Sequence, residues 1–144
     1  DDTYWRHYIY SFRADTLTGG DRANYDYCNP LGLLPSDPPT SPVGWFNGTN
    51  VSPNGNTPTV NSRSPVQAYD MSGNVWEWCH DWYNPDYYLE GAMTNPTGPG
   101  MGWYRVSRGG GWGAMSSYCR SAVRGKALPA TTDNSVGFRL SRSQ

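Results

Sequence analysis

The sequence predicts a single domain of short strands and long ordered loops, with little helix. Three observations carry this. At 144 residues the chain has the size that one hydrophobic core serves. Its 12 Pro and 17 Gly, with only 16% charged residues, punctuate it too often for a helical bundle. Its seven Trp, eleven Tyr and three Phe make it too aromatic to stay disordered. With few Leu and one Ile, Ile9, the core must lean on rings, whose polar tips need partners.

The elements follow in order. Tyr4-Trp5-Arg6-His7-Tyr8-Ile9-Tyr10-Ser11-Phe12 alternates roughly and reads as a short strand or an irregular aromatic segment. It starts abruptly, which points to sequence missing upstream. Residues 16–65 carry turn formers at nearly every third position, with turns marked at Pro38-Pro39, Asn47-Gly48 and Asn54-Gly55. Tyr25, Tyr27, Trp45 and Phe46 lie in that stretch and need burial, which favours ordered loops over disorder. Asn47-Gly48-Thr49 and Asn50-Val51-Ser52 match the N-glycosylation pattern, which matters only in a eukaryotic secretory setting. Val66–Tyr83 is denser in apolar groups. After a further loop, strands are expected at Trp103–Val106, Arg120–Val123 and Val136–Leu140, with a turn at Gly109-Gly110-Gly111-Trp112.

No run approaches the ~18 apolar residues of a membrane helix, so no membrane insertion is expected. A net charge of −1 gives no overall case for a nucleic-acid partner. The charge is uneven: residues 100–144 sum to +6 and residues 1–99 to −7. Ten of the eleven cations are Arg, which favours fixed pairing with carboxylates over a polyanion-binding surface. Arg105, Arg108, Arg120, Arg124 and Arg139 are read as partners of Asp70, Glu77, Asp81 and Asp133. Cys28, Cys79 and Cys119 are too few and too dispersed for a zinc site or a disulfide framework.

The densest signal is Tyr69-Asp70-Met71-Ser72-Gly73-Asn74-Val75-Trp76-Glu77-Trp78-Cys79-His80-Asp81-Trp82-Tyr83. Its Trp spacings of two and four are read as fitting no single face of a helix or strand, so an irregular loop turning at Gly73 is expected. Such a loop can gather the Asp70 and Glu77 carboxylates around a hard cation. Equally, the two acids can pair with Arg or cap loop amides. A Ser72, His80, Asp81 triad lacks a nucleophile elbow, and the glycines at 109–111 lack a phosphate loop's Lys.

That run, with Arg105-Val106-Ser107-Arg108-Gly109-Gly110-Gly111-Trp112, Cys119-Arg120-Ser121-Ala122-Val123-Arg124 and Gly137-Phe138-Arg139-Leu140, resembles in order and spacing the formylglycine-generating enzyme (sulfatase-modifying factor) domain family. Arg22-Ala23-Asn24-Tyr25 and Ser41-Pro42-Val43-Gly44 also resemble its loop elements. The resemblance covers residues 20–140 and lacks the family's usual N-terminal portion. It implies an α+β, C-type-lectin-like fold: a small twisted antiparallel sheet, few helices and extensive ordered loops.

The resemblance also implies sites. One family calcium falls on the Asp70 and Glu77 side chains and the Gly73 and Val75 carbonyls. A second matches Asn24 and Tyr25, with Asp37 a loose third ligand. Family oxidases hold Cu(I) on two closely spaced cysteines after the glycine turn, and soft Cu(I) needs thiolates. Here residues 112–124 supply only Cys119, so copper is not expected. Cys79 either pairs with Cys119 or leaves it a buried thiol. The histidines His7 and His80 cannot replace those of the iron-dependent branch.

What remains is binding. Residues 112–135 resemble the variable region that closes diversity-generating retroelement proteins, a use of the same scaffold for ligand recognition. The candidate contact residues are Trp112, Gly113, Ala114, Ser116, Ser117, Tyr118, Val123, Gly125, Ala127, Leu128, Ala130, Thr131, Thr132 and Ser135. Met115 and Lys126 fall outside the residues that adenine mutagenesis yields. Small residues around rigid rings suit a recognition surface; an ordinary solvent-facing loop is the other reading. The expected function is a non-catalytic module for a protein or small-molecule ligand. The runner-up is an oxidase-type enzyme with active residues outside this chain. A bacterial or phage setting, cytoplasmic or at the cell surface, fits a chain of this kind.

Overall fold

The structure, a computed structural model, describes residues 8–32, 39–91, 94 and 96–140. The aromatic run before Tyr8, with His7, the Pro38 half of the expected turn, and Asp37 lie outside the described residues. Among the described residues, six strands appear in two sheets. β1 (Val51–Ser52) and β2 (Thr57–Pro58) form an antiparallel hairpin whose 3₁₀ turn, Asn54–Asn56, places Gly55 at φ 73°. β3 (Trp76–Trp82), β4 (Arg105–Arg108), β5 (Gly125–Ala127) and β6 (Val136–Gly137) make the main sheet, in the order β5-β4-β3-β6. β4 runs antiparallel to both neighbours, and β6 joins β3 in parallel. Among the described residues, helix is confined to 3₁₀ turns at Asn54–Asn56, Tyr87–Glu90 and Ser116–Cys119.

β3 corrects the sequence reading of the Trp-rich run as irregular. Spacings of two and four are multiples of the strand period, so Trp76, Trp78 and Trp82 are compatible with one face. The run is a strand with an irregularity: Trp78 pairs with Ser107 but Trp82 with Arg105, leaving extra residues on β3. The strand expected at Trp103–Val106 starts and ends two residues later. The one expected at Arg120–Val123 is absent: the chain there leaves the Ser116–Cys119 turn, and pairing with β4 begins at Gly125.

The core lies largely in the loops. Tyr10, Phe12, Leu17, Ala23, Tyr25 and Cys119 form one buried cluster, with Tyr10 and Phe12 stacked at 5.7 Å. Phe46 and Val106 are fully buried elsewhere. Buried polar residues in the loops, among them Asn24, Ser41, Ser62, Ser64 and Asn74, keep the loops ordered by bonding backbone that no sheet satisfies. The Asn47 carboxamide accepts from Thr49 and Asn50, and Asn50 Nδ2 donates to Trp45 O at 2.7 Å, so both glycosylation-pattern asparagines serve this loop.

Candidate functional site

The loop before β3 is held by its own side chains. Asp70 Oδ2 accepts from Gly44 N at 2.7 Å, and burial pushes the Asp70 carboxyl above its usual range. Both Glu77 oxygens are taken by Arg139, Nε at 3.0 Å and Nη2 at 2.5 Å. The same Nη2 donates to the carbonyls of Tyr69 and Asp70. Gly73 sits at φ 84° where a Cβ would stand 2.6 Å from Asn24 O, so only glycine fits. Asn74, which sequence reasoning passed over, ties three segments together. Its N donates to Asn24 O, its carboxamide exchanges bonds with both backbone groups of Ser41, and its carbonyl accepts from Trp112 N at 2.8 Å.

That last bond carries the loop's order to a cleft of about 350 Å³ lined by Tyr27, Trp76, Trp112, Asp133, Ser135 and the backbone at 111–114. Asp26 N donates to Ala114 O and Tyr27 N to Trp112 O, laying the 26–27 loop along the glycine turn. Tyr27 and Trp112 meet edge to face at 5.4 Å. A Cβ on Gly113 would stand 3.1 Å from the Tyr27 ring. Asp26 and Tyr27 both adopt left-handed backbone, at φ 47° and 55°, a conformation that costs a non-glycine residue about 1–2 kcal/mol each. Trp76 N donates to Ser135 O, joining β3 to the cleft's far wall.

Of the candidate contact residues, Trp112, Gly113, Ala114 and Ser135 line this cleft. Ser116, Ser117 and Tyr118 form the adjoining 3₁₀ turn, from which Tyr118 packs on Trp76 at 6.3 Å. Val123 lines a separate groove with Ile9 and Arg120. Gly125 has no room for a side chain, since a Cβ would meet Ser107 Oγ at 2.5 Å and the Trp76 ring at 2.9 Å. Ala127 ends β5, and Leu128, Ala130, Thr131 and Thr132 follow as a solvent-facing turn region. Tyr27, Trp76, Gly111, Asp133 and Asn134 were missed as lining residues. Tyr27 is remote in sequence, and only its place in the 26–29 turn marks it.

Residues 4–144 match the sulfatase-modifying factor enzyme 1-like domain. The chain belongs to that family. Its α+β fold is accordingly the C-type-lectin-like one, with a small mixed sheet, few helices and ordered loops. Among relatives of this sulfatase-modifying factor domain, the formylglycine-generating enzyme of Streptomyces coelicolor is 38% identical over 67% of the chain and 33% of its own length. The serine/threonine-protein kinase pkn1 of Chlamydia pneumoniae is 42% identical over 56% of the chain and 13% of its own. The chain thus spans a third or less of these proteins. Of solved structures, PvdO from Pseudomonas aeruginosa aligns at TM-score 0.52 and 29% identity over 69% of the chain and 32% of that protein. Treponema denticola variable protein 1 aligns at TM-score 0.48 and 26% identity over 82% and 34%.

The family's metals can be tested against these residues. Calcium at Asp70, Gly73, Val75 and Glu77 would have to compete with Arg139 at both Glu77 oxygens, so as arranged the two acids serve an ion pair and a loop amide. At the second position the Asn24 carbonyl accepts from Asn74 N and the Tyr25 carbonyl from Cys28 N at 2.9 Å, each keeping a second lone pair. The thiols oppose copper chemistry. Cys119 is fully buried, and burial pushes its thiol up to about 12. All three cysteines are free, so of the two readings of Cys119 the buried thiol is the one seen: Cys79 lies on β3 near Arg108, whereas the thiol sharing Cys119's surroundings is Cys28. Burial also raises the Cys28 thiol, while Cu(I) wants thiolates. Ser72 is buried with its Oγ bonded to Ser11 Oγ at 2.9 Å, whereas His80 is exposed.

Proposed function

We propose that this sulfatase-modifying factor domain is a binding module whose ligand seats in the cleft between Tyr27, Trp76, Trp112 and Ser135. The observation that carries the reading is the cleft's construction. Two tryptophans and a tyrosine are fixed by backbone hydrogen bonds around small residues, which pre-organises contact area before any ligand arrives. The chemistry of the nearby thiols supports the same choice, because the only cysteine after the glycine turn is sealed and protonated. That a kinase-named protein of Chlamydia carries a similar stretch in 13% of its length supports a scaffold reused beside different activities.

The test is a phage-displayed peptide library panned on the purified domain, with bound clones followed by NMR of the tryptophan indoles. Shifts concentrated at the Trp76 and Trp112 indoles are expected. Shifts confined to other tryptophans would overturn the cleft. The similarity to the Streptomyces formylglycine-generating enzyme favours a second reading, an oxidase completed by residues beyond this chain. Copper-dependent oxidation of a cysteine peptide, abolished by Cys119→Ala, would establish it.

A further inference from the structure

The cleft's lining is chemically one-sided. It presents three π systems, Tyr27, Trp76 and Trp112, and one carboxylate, Asp133, and contains no lysine or arginine. The carboxylate is fixed. Asp133 Oδ1 accepts from Ser135 N at 2.7 Å and from Ser135 Oγ at 2.5 Å, closing a tight Asx turn that aims it from the cleft's edge. Those two donors also hold its pKa below the usual carboxylate value, so it stays charged. The rings are fixed too. Trp112 is bonded through its N to Asn74 O at 2.8 Å, through its carbonyl to Tyr27 N at 2.9 Å and through Nε1 to Asn134 O at 3.5 Å. Ring faces carry negative potential and attract cations, and a nearby carboxylate adds a full charge to that field. At other sites such faces already carry a cation: Arg105 lies over Trp82 at 3.7 Å and Arg124 over Tyr88 at 4.2 Å. Here no side-chain cation of the lining fills the position.

We infer that the cleft takes an organic cation, an alkylammonium or guanidinium group, held against Trp76, Trp112 and Tyr27 and paired with Asp133. The inference rests on the binding-module reading and names the ligand class for the same site. The group can come from a free small molecule or from a side chain of a peptide.

The experiment titrates three probes against tryptophan fluorescence: choline, its uncharged isostere 3,3-dimethylbutan-1-ol, and Nα-acetyl-lysine methylamide. Choline is expected to bind about tenfold more tightly than the isostere, the scale of a desolvated cation–π contact. Asp133→Asn, which keeps an acceptor for Ser135 and leaves the rings in place, is expected to shrink that difference by removing the carboxylate's share of it, with a cooperative melt retained. A stronger response to the lysine derivative than to choline assigns the source to a side chain, and the reverse to a free cation. Equal binding of choline and isostere, or no saturable response to either cation, overturns the inference. Peptide binding that shifts the Trp76 and Trp112 indoles unchanged in Asp133→Asn would do so while leaving the binding-module reading intact.

Discussion

Arg139 closes the molecule's chain end onto its most distinctive loop, donating to both Glu77 oxygens and to two carbonyls 69 and 70 residues back in sequence. Arg139→Met keeps the stem and removes five-donor geometry. It is expected to cost about 1–2 kcal/mol in urea unfolding, discounted because the pair is partly solvated. The same geometry predicts that millimolar calcium leaves the melting temperature of the native protein unmoved. A rise that vanishes in Glu77→Gln would show that the guanidinium yields to the metal. Asp70 gives a signed pH effect. Its folded-state pKa is raised chiefly by burial, against the help of Gly44 N and Arg139. A raised carboxyl binds its proton more tightly when folded, so its contribution to stability is fully present below the unfolded pKa of about 3.9 and is lost as pH rises through the folded value. Asp70→Asn should therefore be at least as stable as the native protein at pH 7, with the gap closing as pH falls toward 4. A gap that widens on acidification would refute this.

At the scale of elements, the loops act as structure because buried side chains replace sheet pairing. Asn74 is the sharpest case, serving Ser41 and Asn24 while its own backbone sits at φ 71°. Asn74→Gly keeps the backbone free but abandons these bonds, and should cost about 2 kcal/mol. Asn74→Leu should cost about 1 kcal/mol more, the strain of a left-handed branched residue. Thermal unfolding of both checks this, and losses under about 0.5 kcal/mol would remove Asn74 as a tie. The sequence carried much of this architecture. The glycines at 55 and 73 and the strand near Val106 were legible because turn chemistry and ring-rich strands leave local marks, whereas the Ser41–Gly44 and Arg22–Tyr25 loops were marked by the family resemblance. β3 was misread despite its even Trp spacing, since charged residues between the rings obscured the two-residue period. The cleft was half legible: Trp112 and Ser135 share one segment, whereas Tyr27 joins them through backbone bonds that any residue could make.

At the scale of the molecule, the opposed charges of the two halves largely do not pair among the described residues as composition suggested. Arg139–Glu77 is such an ion pair, but Arg108 donates to the carbonyls of Ser121 and Val123 and to Tyr88 Oη, and Arg124 to those of Asn84 and Pro85. Arg105 donates to the His80 carbonyl, Arg120 to that of Ser117, and Lys126 lies 5.2 Å from the Tyr83 and Tyr104 rings. Carbonyls and rings anchor these groups without cancelling their charge. Cross-strand pairing sets Lys126 opposite Val106, on the face that Arg108 shares by strand alternation, and Arg124 lies over Tyr83 and Tyr88, the rings that Lys126 and Arg108 also approach, so like charges crowd there. Salt screens exposed charges beyond a Debye length of about 8–10 Å, weakening repulsion and ion pairs alike, and the net sign reports which dominates. Raising sodium chloride from 50 to 500 mM should therefore leave the melting temperature level or raise it by about one to three degrees. Lys126→Met, which keeps the apolar stem between the rings, should raise it at low salt and flatten the salt response. A melting temperature that falls steadily with salt would mean that opposite-charge pairing governs stability after all, and that the carbonyl and ring contacts of these cations are secondary.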